Sequence, residues 1–173
     1  MFTRTFSLLM LTAVICTAGN IVQNPGFESG TANWTLNSDF FLSVPGYPGY
    51  FHSGSQSVET PCVDQTTCMD PVNGAFIRQT LTTVPGQRYS LSFWVTENSG
   101  PTSEMAVYWA GSLLQDVMNP NNNGGPTGWK QFTWDNLLAT TSSTVLQVNA
   151  RQVPAEIFFD DFFRRRDGGL RRP

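Results

Sequence analysis

The segment Arg88-Tyr89-Ser90-Leu91-Ser92-Phe93-Trp94-Val95-Thr96 decides the fold. Tyr89, Leu91, Phe93 and Val95 fall on one side of it, and Ser90, Ser92, Trp94 and Thr96 on the other. A period of two with one apolar side is the pattern of a strand that buries one face. Upstream, Ala75 to Thr83 reads as a second strand. It is joined to the first by Val84-Pro85-Gly86-Gln87, where Pro then Gly at the central positions favours a type II turn. Downstream, Glu104 to Ala110, Gly111 and Ser112 to Val117 read as a hairpin with a tight glycine-containing turn. Met118 to Gly128 is dominated by Asn, Pro and Gly and reads as a loop. Trp129 to Trp134, Thr144 to Ala150 and Glu156 to Phe163 resume strand character, with Leu146, Val148 and Ala150 expected on the core face. At the front, Asn20 to Phe27 is expected as the first strand, and Trp34 and Phe40 to Val44 as the start of the next ones. Short strands between turn residues, with no crossover helices, predict an all-β, single-domain jelly-roll sandwich.

The two ends of the chain read differently from its body. Arg4, an apolar run from Phe6 to Ile15 and the small residues Cys16-Thr17-Ala18-Gly19 have the form of a secretory signal peptide over residues 1–19. The run is too short to span a bilayer, which takes roughly 20 apolar residues. The expected product is secreted and extracellular, with a sandwich over 20–163 and a basic tail over 164–173 as a solvated, disordered end. The chain carries 10 basic and 13 acidic residues. Arg164, Arg165, Arg166, Arg171 and Arg172 lie in that tail, so the body is acidic, which argues against nucleic acid as a partner. No later apolar stretch is long enough for a membrane span. Of 3 cysteines, Cys16 leaves with the leader. Cys62 and Cys68 remain close together in a polar stretch, and in an oxidising compartment they are expected to form one disulfide that pins a loop. The single histidine, His52, is too little to complete a zinc site.

With these elements in place, the chain resembles the galactose-binding-like β-sandwiches, in particular carbohydrate-binding modules of families 4 and 9. The matching residues begin with Asn20-Ile21-Val22-Gln23-Asn24-Pro25-Gly26-Phe27-Glu28-Ser29-Gly30, followed by Trp34-Thr35. They continue with His52-Ser53-Gly54-Ser55-Gln56-Ser57-Val58, Ile77-Arg78-Gln79-Thr80-Leu81, Val84 to Val95, and Phe159-Asp160-Asp161. The resemblance implies a polysaccharide or glycan as partner and a structural calcium. It places the calcium on the Glu28 side chain, a backbone carbonyl near Gly26, another near Ser53, and Asp160. Calcium takes several hard oxygen ligands, which carboxylates and carbonyls supply. Strand alternation lets only one of Asp160 and Asp161 face such a site, and Asp160 is the choice. The alternative is a Glu28 that faces solvent in a turn, beside one exposed and one hydrogen-bonded aspartate.

Sugar binding needs aromatic faces for pyranose rings and planar polar groups for hydroxyls. Tyr47, Tyr50 and Phe51 in an aromatic loop, and Trp129 at a strand start, are the candidates. Trp34, Phe93, Trp94 and Trp109 are expected as core or cross-strand residues instead. No motif singles out a carboxylate pair for glycosidic cleavage, and Ser53 and Ser55 lack a nucleophile-elbow pattern. The expectation is a non-catalytic binding protein. An extracellular adhesion or matrix protein that recognises another protein is the alternative, and a hydrolase the third.

Overall fold

The computed structural model describes residues 19–37, 39–43, 49–98, 102–121 and 128–166. The signal-peptide reading of residues 1–18, the end of the basic tail (167–173) and Tyr47 lie outside them.

Among the described residues, two antiparallel five-stranded sheets pack face to face. The first contains β1 (Thr35–Leu36), β4 (Phe76–Thr82), β9 (Ser143–Val153), β6 (Thr102–Trp109) and β7 (Ser112–Met118), in that spatial order. The second contains β2 (Phe41–Leu42), β3 (Val58–Thr60), β10 (Ile157–Arg166), β5 (Arg88–Glu97) and β8 (Lys130–Leu138). The helical turn α1 (Gln65–Cys68) is capped by Asp64, whose side chain accepts from the Thr67 N–H at 2.8 Å. Tyr89, Leu91, Phe93 and Val95 of β5 are buried, as their alternation predicts. Leu146, Val148 and Ala150 of β9 face them from the other sheet side of the core, all fully buried. Gly86 takes φ +78, and the Gln87 N–H donates to the Val84 carbonyl at 3.0 Å, which closes the expected turn. Ala110 and Gly111, both at positive φ, make the tight turn between β6 and β7. Cys62 and Cys68 form the expected disulfide.

Two expectations need correction. Asn20 to Phe27 is not a strand. Asn24 and Phe27 take left-handed φ values of 50 and 59, which break an extended run. Asn24 organises the turn instead. Its amide donates to the Gly30 carbonyl at 2.8 Å, its side-chain oxygen accepts from the Ser29 N–H, and its own carbonyl accepts from the Trp34 indole. The segment still lies against the last strand, since the Phe162 N–H donates to the Pro25 carbonyl at 3.0 Å.

The first residues of the basic stretch, Arg164 to Arg166, are strand and not tail. β10 continues to Arg166, and Arg164 is fully buried between the rings of Tyr89 and Trp109. Long side chains with a planar cation can bury against aromatic faces, so a run of arginines need not be solvated.

Candidate functional site

Three segments far apart in sequence converge beside the middle of β10. The Glu28 carboxylate accepts from the Ser55 N–H at 2.9 Å, the Ser55 hydroxyl at 2.8 Å and the Gln56 N–H at 3.0 Å. These bonds hold its carboxyl below the ordinary carboxylate range, the Ser55 N–H contributing most. Gly54, at φ +65, sits so close that a Cβ there would collide with this carboxylate. Asp160 is fully buried, and its Oδ2 accepts from the backbone N–H groups of His52 at 2.7 Å and Ser53 at 3.1 Å. Burial, and then the charge of Asp161, push Asp160 up to about 7.

Alternation was expected to turn Asp161 away. A register shift between Asp160 and Phe163, with Asp161 at φ 49, defeats that rule, because a bulge re-aims the extra residue. A Cβ on Gly26 would lie 3.3 Å from Asp161 Oδ1 and 3.4 Å from Asp160 Oδ1, so bare backbone faces both acids. Asp161 also accepts from the Ser53 hydroxyl at 2.8 Å and lies 2.7 Å from His52 Nδ1. Among the described residues no group of three or more His, Cys, Asp or Glu side chains is arranged to hold a metal. Any cation here would therefore draw part of its shell from carbonyl and hydroxyl oxygens. Gly26, Glu28, Ser53 and Asp160 all belong to this convergence.

The predicted aromatic contacts gather near it, on the outer face of the second sheet. Tyr50 stacks on Phe158 with centroids 4.7 Å apart, and its carbonyl accepts from the Ser57 hydroxyl. The Trp129 indole donates to the Gly49 carbonyl at 3.1 Å, and its ring meets His52 edge-on at 5.8 Å. Tyr50, Phe51 and Trp129 are all half-buried.

The outer face of the first sheet carries a separate feature. Residues 61–74, with the disulfide, cover part of that face. The Gln147 amide donates to the Pro71 carbonyl at 2.8 Å, and the Asn149 amide to the Asp70 carbonyl at 2.8 Å. Beside this loop lies a cavity of about 430 Å³ lined by Tyr108, Pro71, Val145, Gln147, Thr141 and Ser143. Tyr108 is half-buried, whereas its neighbour Trp109 points into the core at 4% exposure. The Gln147 amide nitrogen is also held by Asn149 Oδ1 at 2.8 Å, which fixes the side-chain plane. Further along the face, Glu104 accepts from Arg151 Nε at 2.6 Å and from the Gln65 amide at 3.1 Å. Burial and then the charge of Glu104 raise the Asp116 carboxyl. Burial, then the charges of Asp116, Asp70 and Glu104, raise the Tyr108 phenol. The cavity is thus an aromatic and amide-lined depression in an acidic surround. Its signal in the sequence was the pair Tyr108-Trp109, of which only one can face inward on a strand.

Comparison with known proteins bears on what such a sandwich is. Residues 19–151 match the family described as "Carbohydrate binding domain", and the chain belongs to that family. No curated protein matches it. Among solved structures, the module TmCBM61 in complex with β-1,4-galactotriose superposes with a TM-score of 0.62 at 20% identity, over 86% of this chain and 99% of that one. The C-terminal family 22 carbohydrate-binding module of Clostridium thermocellum Xyn10B gives 0.58 at 16% identity, over 89% and 99%. Family 16 Carbohydrate Binding Module-2 gives 0.55 at 16%, over 84% and 99%. At these identities the likeness establishes the jelly-roll β-sandwich.

Proposed function

We propose that this protein is a secreted, non-catalytic glycan-binding domain that takes a neutral polysaccharide chain on the outer face of the first sheet. The observation that supports this most is the cavity at Tyr108. A half-buried ring lies next to a fixed amide and the hydroxyl-bearing residues Thr141 and Ser143, which suits a pyranose with one apolar face and equatorial hydroxyls. With Glu104 paired to Arg151, the remaining carboxylates of Asp70 and Asp116 near Tyr108 would repel uronic acids, so neutral sugars are preferred. Tyr50, Phe51 and Trp129 remain candidate contacts on the opposite sheet, as does Tyr47.

Calorimetric titration with β-1,4-galactotriose, xylohexaose and soluble glucans tests the reading. At least one is expected to bind, with polygalacturonate weaker than neutral chains. Tyr108→Ala is expected to weaken binding at this cavity about thirtyfold, the cost of losing a central aromatic contact of roughly 2 kcal/mol. No heat from any glycan would sink the reading.

A structural calcium belongs to the same proposal. Gly26, Glu28, Ser53 and Asp160, with Asp161, offer hard oxygen donors only, and the two aspartates crowd like charges against a bare glycine. The donor chemistry fits the ion. Bound calcium would neutralise that crowding. The residues themselves already fasten the 52–56 loop to β10 through hydrogen bonds. Chelation is expected to lower the melting temperature by about 5 °C, and re-addition of calcium to restore it, because a ligand of the native state alone stabilises by mass action. A melting temperature indifferent to chelator would reject the site.

A further inference from the structure

A second depression lies on the outer face of the other sheet, with a volume of about 360 Å³. Its floor is the small residue Ser92 of β5, and Trp94 of the same strand and Phe163 of β10 rise beside it. Phe163 pairs with Ser92, and Trp94 pairs with Gln131 of β8, so the feature crosses three neighbouring strands. Phe163 is 43% exposed, and Trp94 is half-buried with His52 stacked on one of its faces, so Phe163 and the uncovered surface of Trp94 are open to a ligand. Polar groups ring them, namely the exposed amide of Gln131, Ser92, and Asp161 at the rim.

Two features of the fold build this arrangement. The bulge after Asp160 brings Asp161 to the rim and puts Phe163 on the outer face while Phe162 goes into the core. His52 stacks on Trp94 with centroids 3.9 Å apart and planes 14° from parallel, and Trp129 meets His52 edge-on. The orientation of the Trp94 ring is therefore fixed before a ligand arrives, which reduces the entropy cost of binding. Asp161 is in turn bonded to His52 and to Ser53, so rim and ring form one rigid unit.

We propose that this depression is a second glycan site, in which the apolar face of one pyranose lies between Trp94 and Phe163 and its hydroxyls meet Gln131 and Ser92, with Asp161 shaping the rim. The proposal rests on the glycan-binding reading above and makes the domain bivalent, with one site on each outer face. It explains why a large exposed aromatic, Phe163, stands next to a braced tryptophan on a face remote from Tyr108.

The test is calorimetric titration of β-1,4-galactotriose and xylohexaose into the full chain, into Tyr108→Ala and into the triple variant Tyr108→Ala/Gln131→Ala/Phe163→Ala. Gln131 and Phe163 are exposed, so their truncation leaves the fold intact, and near-ultraviolet circular dichroism checks that it does. Expected is a stoichiometry of two for the full chain and of one for Tyr108→Ala, with that residual binding weakened about tenfold or more in the triple variant. The tryptophan fluorescence of Tyr108→Ala should shift on titration, since the remaining site contains Trp94. Binding by the full chain that vanishes entirely in a folded Tyr108→Ala overturns the second site and leaves the first standing. Residual binding indifferent to Gln131 and Phe163 also overturns it. No binding by the full chain overturns both.

Discussion

Phe162→Ala is expected to lower the free energy of unfolding by about 3–5 kcal/mol, the range for emptying a buried phenylalanine site. Phe162 is fully buried where the front of the chain meets its last strand. Its ring lies 4.9 Å from Trp34, 6.0 Å and edge-on from Phe27, and 4.7 Å from Phe93. Phe27 and Trp34 come from a segment with no strand of its own, so aromatic packing does there what a hydrogen-bonded ladder does elsewhere. Denaturant titration followed by tryptophan fluorescence and circular dichroism measures the loss. Phe163→Ala, one residue on and exposed, serves as the control and should stay within about 0.5 kcal/mol of the parent. A loss below about 1 kcal/mol for Phe162→Ala would show that the front segment is held by its backbone bonds alone.

Arg164→Ala is expected to cost about 3–4 kcal/mol. The guanidinium carbon lies 3.5 Å from the ring centre of Tyr89 and 4.0 Å from that of Trp109, with no solvent exposure. A desolvated cation–π contact is worth about 2 kcal/mol or more, and truncation would also leave a cavity between the sheets. The two rings are fixed independently. The Tyr89 hydroxyl accepts from the Val84 N–H and the Trp109 indole donates to the Leu138 carbonyl, each at 2.8 Å, so the gap cannot close easily. Arg164→Lys keeps the charge but loses the planar stack, and should fall between parent and alanine. Equal stability of the lysine variant and the parent would show that charge alone matters. Equal stability of the alanine variant would remove Arg164 from the account of the core.

These two residues mark the limits of what the sequence discloses. The alternation of β5 and β9 was legible because each strand has one apolar face, and the Pro85-Gly86 turn because only certain backbones suit those residues. Arg164 was not legible. Its charge argues for solvent, and only the spatial meeting of Tyr89 from β5 with Trp109 from β6 supplies a place to bury it. The start of the domain failed for a local reason. Asn24 has the side chain to bond its own turn, and that turn competes with the strand that Ile21 and Val22 favour.

The site divides in the same way. The resemblance alone groups Gly26, Glu28, Ser53 and Asp160, and hydrogen bonds and close approaches join their segments in the fold. That both aspartates turn toward Gly26 was not expected, since a bulge leaves no mark in a two-residue period. Tyr108 escaped attention because two adjacent aromatics on a strand do not announce which one faces outward. Trp94 was expected as structural, and it does pack on His52, yet it also borders the second depression.

The backbone bond from the Ile21 N–H to the Arg164 carbonyl, and those between Asn20 and the 162–164 stretch, have a mechanical corollary. Residues 20 and 164 sit side by side, two residues before β10 ends at Arg166, so the front segment begins at nearly the same spot at which the last described strand ends. Tension applied through that spot would open the bonds between the front segment and β10 one after another, like a zipper, and would not load them all at once.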